Sequence, residues 1–101
     1  MTVKSQLTAC RDSLMAGMRA ATRGAAPDER AATLLRACLD LVEHMTGQAA
    51  EVTAAEVNTT LNVLGQALVD MERDADPTAA STALRNAIGR MQALRSEISG
   101  K

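Results

Sequence analysis

Val52-Thr53-Ala54-Ala55-Glu56-Val57 reads as the opening of a helix, and the rest of the chain falls into place around it. Thr53 and Glu56 have the spacing of a capping box. The Thr hydroxyl can accept from the backbone N–H of Glu56, and the Glu carboxylate can reach back to the N–H of Thr53. Val52 and Val57 hold the two positions of a hydrophobic staple, whose contact sets the angle at which the chain enters the helix. The stretch therefore marks a helix beginning at residue 53 or 54, not a reactive site.

Downstream of this signal, Val57, Leu61, Leu64, Leu68 and Met71 recur at alternating steps of four and three, one apolar stripe of an amphipathic helix. Asp76-Pro77 predicts the next start, with Asp as N-cap and Pro in the first helical position. Ala80, Leu84, Ala87, Met91, Leu94 and Ile98 then repeat the stripe. Upstream, Val3, Leu7, Cys10, Leu14, Gly17/Met18 and Ala21 form the first stripe. After a break at RGAAP, the run Pro27-Asp28-Glu29 opens a second helix. Its face, Ala31, Leu34/Leu35, Cys38, Leu41/Val42 and Met45, is the broadest because two of its positions are doubled. TGQAAEV separates it from the third helix.

Four segments of near-equal length, each about 30 Å as a helix, with short connections predict an all-α, four-helix up-down bundle. Two helical hairpins pairing in a dimer satisfy the same pattern. The chain is read as a single helical-bundle domain spanning residues 1–101. Gly17, Gly65 and Gly89, with the many alanines, are expected to let helix axes approach closely.

Composition narrows the function classes. Of the 101 residues 47% are hydrophobic and none is aromatic, where ordinary usage gives about eight aromatics. That removes stacking platforms for single-stranded nucleic acid and the aromatic anchors of most interfaces. The net charge of −1 carries no overall signal for nucleic acid, which is an unlikely partner. No run approaches a membrane span, and the polar start MTVKSQLTACRD lacks a signal-peptide core. The expected location is the cytoplasm or the interior of a virion.

A search for chemistry finds no GxSxG, P-loop or GxGxxG. No catalytic residue, cofactor, metal site or small-molecule substrate is expected, and the reading is of a protein that is not an enzyme. Cys10 and Cys38 both lie on apolar stripes and would fall at one level of an antiparallel hairpin. A bridge between them is conceivable, but two reduced, buried thiols are the stronger expectation. One histidine and no CxxC leave too few ligands for zinc. His44 stands off the apolar stripe near a helix C-terminus. His44-Met45-Thr46-Gly47 lacks the His-x-x-Lys-Gly pattern of four-helix phosphotransfer domains. Glu72 to Asp76 gathers acids, without the glycine and terminal glutamate of a calcium loop.

Charge is unevenly spread. Residues 1–23 carry Lys4, Arg11, Arg19 and Arg23 against Asp12, and residues 77–101 carry Arg85, Arg90, Arg95 and Lys101 against Glu97. Both end segments are basic, and the middle of the chain is acidic. In an up-down bundle the first and last helices are neighbours, so one side is expected to be basic and the other acidic. Met15 falls on the same side of the first helix as Lys4 and Arg11. Lys4, Arg11, Met15, Arg19, Arg85 and Arg90 are therefore the candidate partner-binding residues.

In size, Ala/Leu/Arg richness and lack of catalytic motifs, the chain resembles small helical chaperones and adaptors of bacterial secretion and flagellar systems. The Asp76-Pro77 turn followed by an amphipathic helix resembles the hairpin of type III secretion needle subunits, although the first half of the chain has no counterpart there. These resemblances imply a non-enzymatic protein–protein interaction module, an adaptor, chaperone or inhibitor of a larger bacterial or phage assembly. The alternative is a self-assembling structural subunit of a phage particle or secretion apparatus. The expected partners are another protein or further copies of the chain itself.

Overall fold

A computed structural model describes residues 2–23, 28–73 and 78–99. Among these the chain forms four helices, α1 (Val3–Thr22), α2 (Glu29–Thr46), α3 (Ala54–Glu72) and α4 (Ala79–Ser99), with a single 3-10 turn at Ala49–Glu51. The predicted separator TGQAAEV thus contains a turn of its own. Gly47 ends α2, its N–H returning to the Glu43 carbonyl at 3.1 Å.

Each helix start is fixed by a local side chain. Thr2 accepts from the N–H of Ser5 at 3.0 Å, and Asp28 accepts from that of Ala31 at 3.0 Å. Thr53 accepts from Glu56 N–H at 3.2 Å, as the capping box requires. Glu56 returns to the Thr53 hydroxyl at 3.4 Å, where the sequence pattern placed it on the backbone N–H. Val57 is fully buried in the core and Val52 is half-buried against it, the placement a staple requires.

The start of α4 differs from expectation. Asp76 and Pro77 lie outside the described residues, and the cap is Thr78. Its hydroxyl accepts from Ser81 N–H at 3.2 Å while the Ser81 hydroxyl accepts from Thr78 N–H at 2.8 Å. This reciprocal pair satisfies two backbone donors and begins the helix at Ala79.

α1 lies between α2 and α4, and α3 closes the ring on the opposite side, touching the same two neighbours. The up-down bundle thus closes within one chain, 46 × 22 × 18 Å in extent. Leu7, Cys10, Leu14, Leu35, Cys38, Val42, Val57, Leu64, Leu84, Ala87, Met91 and Leu94 have no exposed surface.

Two details of packing depart from the predicted stripes. In α3 the buried line runs through Thr60 and Ala67, leaving Leu61, Leu68 and Met71 half-buried. Thr60 is tolerated there because its hydroxyl donates to the Glu56 carbonyl at 2.9 Å and lies 3.1 Å from Met45 Sδ. Among the three glycines expected at close approaches, only Gly17 serves. A Cβ there would stand 3.1 Å from Ala83 Cβ and 3.2 Å from Leu35 Cδ1, whereas Gly65 and Gly89 meet nothing within 4 Å.

Candidate functional site

The doubled apolar positions of α2 cannot all point into the core. Leu35 and Val42 are fully buried, while their neighbours Leu34 and Leu41 are turned toward the α2–α3 seam, Leu41 remaining 36% exposed. Successive helical residues lie about 100° apart, so one of each pair must leave the core. On α3, Ala55, Thr59, Val63 and Gln66 face the same seam.

These side chains line two open hollows in sequence along one groove. The first, of about 310 Å³, lies between Leu41, His44 and Met45 on α2 and Ala55, Glu56, Thr59 and Thr60 on α3. The second, of about 240 Å³, lies between Leu34, Ala37 and Cys38 on α2 and Val63, Gln66, Ala67 and Asp70 on α3. α2 and α3 are also the most loosely packed of the neighbouring helix pairs. A carboxylate stands at each end of the groove, Glu56 in the first hollow and Asp70 in the second.

The six residues predicted to bind a partner fall in different places. Met15, 38% exposed, and Arg19 join Met18, Thr22, Arg36 and Leu39 in a hollow between α1 and α2. Arg85 and Arg90 line another with Ser13, Asn86, Gly89 and Ala93, on the far flank of α1 against α4. Lys4 is exposed near the start of α1. Arg11 is half-buried and lies 3.6 Å from Asp12. Arg85 pairs with Glu72 of α3.

The charge segregation extends to the three-dimensional arrangement. α2, α3, their caps and their connection carry Asp28, Glu29, Asp40, Glu43, Glu51, Glu56, Asp70 and Glu72 with only Arg30, Arg36 and Arg73 as cations, a net −5 among the described residues. α1 and α4 are both net basic. The Arg85–Glu72 pair crosses between the sides, while Arg36–Asp40 at 3.9 Å and Arg73–Asp70 at 3.1 Å stay within their own helices.

Cys10 and Cys38 are free and buried. Cys10 donates to the Ala87 carbonyl at 3.4 Å, tying α1 to α4. Burial, with a smaller contribution from the nearby Cys38, pushes the Cys10 thiol up to about 12. Burial pushes Cys38 up to about 11. Thiols held protonated in this way are poor nucleophiles.

His44 is exposed in the last turn of α2, as its position off the stripe predicts, but it also edges the groove. Among the described residues no group of three His, Cys, Asp or Glu could hold a metal ion, and no helix is long and apolar enough to cross a membrane.

Sequence reasoning pointed to the basic residues and passed over the groove. Its signal was present in the doubled positions Leu34/Leu35 and Leu41/Val42 and in Val63, which stands off the α3 stripe. No protein-family model, curated protein or solved structure matches this chain.

Proposed function

We propose that this chain is a non-enzymatic protein–protein interaction module, a small helical adaptor, chaperone or inhibitor within a larger assembly. The observation that carries this reading is the open, largely apolar groove along the α2–α3 seam. Leu41 stays exposed in the first hollow, and Leu34 and Val63 pack against the core while keeping part of their surface open to the second. A concave, largely apolar seam between two helices is the form of surface that receives a partner's side chains.

The test is capture followed by reconstitution. The chain is immobilised, co-purifying proteins are identified, and each is purified and mixed with the free chain. A complex of defined stoichiometry by light scattering is expected. The reading fails if no captured protein forms a complex with the purified chain. It also fails if the pure chain turns over a substrate and a core-sparing surface substitution abolishes that turnover.

The separation of charge supports a second reading, a structural subunit that assembles through unlike faces of successive copies. Such heterologous contacts close into rings or propagate as filaments. Particle size that grows with concentration and shrinks with added salt would favour it.

A further inference from the structure

We infer that the α2–α3 groove is the docking site for one amphipathic helix of a partner protein, with basic residues flanking its apolar stripe. The inference rests on the protein-binding reading above and says where that binding happens and what chemistry it selects.

Shape is the first argument. The two hollows follow one another along a seam between antiparallel helices. The 19 residues of α3 make that seam about 28 Å long. A helix laid in such a seam presents apolar side chains every three or four residues, and side chains two turns apart on it can reach both hollows, which are offset by seven positions on α2 from Leu34 to Leu41. Leu34, Ala37 and Leu41 on one wall and Ala55 and Val63 on the other supply aliphatic contact without any aromatic anchor. The incoming helix therefore has to bring its own bulk, as Leu, Met or Phe.

Charge is the second argument, and it selects the occupant. Glu56 and Asp70 lie fourteen positions apart in α3, about 21 Å along the axis, and so mark the two ends of the groove. Both already have local partners. Glu56 takes the Thr53 hydroxyl, and Asp70 takes Arg73 at 3.1 Å and Gln66 at 3.3 Å, all on one oxygen of each carboxylate. These two carboxylates line the groove and no Lys or Arg lines either hollow, on the side of the molecule whose described residues sum to −5. A basic helix is drawn to this face and an acidic one repelled. Two copies meeting through this groove would set the Glu56 and Asp70 carboxylates of one against those of the other, which disfavours a symmetric dimer here. The most loosely packed helix pair is also the one that can spread to admit a fifth helix at least cost.

The probe is a synthetic amphipathic peptide of about 18 residues with a Leu/Met stripe, Lys on both flanks and a terminal fluorophore. A second peptide carries Glu in place of every Lys. Fluorescence anisotropy is read on the full chain and on three variants. L41E puts a charge on an exposed groove wall, E56Q with D70N removes the end charges while keeping one carbonyl acceptor on each side chain, and M15E alters the α1 side instead. Circular dichroism establishes that each variant melts like the parent.

The Lys peptide is expected to bind saturably at one per chain, more weakly as salt rises. L41E is expected to weaken it by about tenfold or more, the double variant by several-fold, and M15E not at all. The Glu peptide is expected not to bind. The inference is overturned if the Lys peptide shows no saturable binding, if L41E binds it as well as the parent does, or if the two peptides bind alike. Larger species of the chain alone that L41E disperses would assign the groove to a second copy, which also overturns it. A reconstituted protein complex that survives L41E but is lost on charge reversal of Arg85 and Arg90 would leave the proposed function standing and place binding elsewhere.

Discussion

Gly17 and Gly65 look alike in the sequence, each inside a long helical pattern, yet the bundle treats them oppositely. A side chain at Gly17 would press into Ala83 and Leu35, so Gly17→Val is expected to destabilise by about 1–3 kcal/mol through crowding of the α1–α4 approach. Gly65 meets nothing within 4 Å, and Gly65→Ala is expected to stabilise by about 0.5–1 kcal/mol by restricting the unfolded chain. Urea unfolding followed by circular dichroism distinguishes the two, since the chain has no aromatic fluorophore. The cysteines make a second residue-scale prediction. Their thiols stay protonated in the folded chain up to about 12 and about 11, above the ordinary 9.0. The unfolded chain therefore loses these protons first. The stability from the two thiols is fully present below pH 9 and declines as pH rises from 9 through 11–12. Unfolding midpoints across that range should fall, and fall less steeply in the double variant C10A/C38A. The parent should also show two thiols that react slowly when native and rapidly when denatured.

Among the helices, cohesion is uneven. α1 and α4 pack most intimately, through Gly17, Ala80 and Ala83 and the Cys10 bond to Ala87, while α2 and α3 leave a groove between them. Amide hydrogen exchange should therefore be slowest in the middle of α1 and α4 and faster along the seam-facing turns of α2 and α3. Uniform protection of all four helices would contradict this ordering. The start of α3 depends on one hydroxyl. Thr53→Ala removes the bond to Glu56 N–H and is expected to cost about 1 kcal/mol. It should speed exchange in the first turn of α3 and leave the middle of α1 unchanged in relative rank.

The whole molecule combines a nearly neutral total with an uneven distribution. The net charge is −1, but the α2–α3 side and the α1–α4 side are opposite in sign. Because the core closes within one chain, the free protein is expected to be a monomer near 10.6 kDa across concentration. Light scattering with refractive-index detection measures this directly. The dipole should instead appear in encounter, as a rate of partner association that falls steeply between low and physiological salt. A free chain that is dimeric at every salt concentration would mean that burial between chains, not charge, governs its association.

The sequence by itself determined the four helices, three of their four starts and the separation of charge along the chain. These depend on neighbours within about four residues, such as the Thr53–Glu56 box, the Val52–Val57 staple and the recurrence of Leu. Local order of that kind is written locally. The tertiary structure alone decided the rotation of each helix about its axis. That rotation chose Leu35 over Leu34 and Val42 over Leu41 for the core, buried Thr60 and Ala67 in place of Leu61 and Leu68, and gave Gly17 a purpose that Gly65 and Gly89 lack. It also separated Met15 and Arg19 from Arg85 and Arg90 and opened the α2–α3 groove. Adjacent apolar positions differ by about 100° around a helix, and only contact with residues distant in sequence settles which of them faces inward.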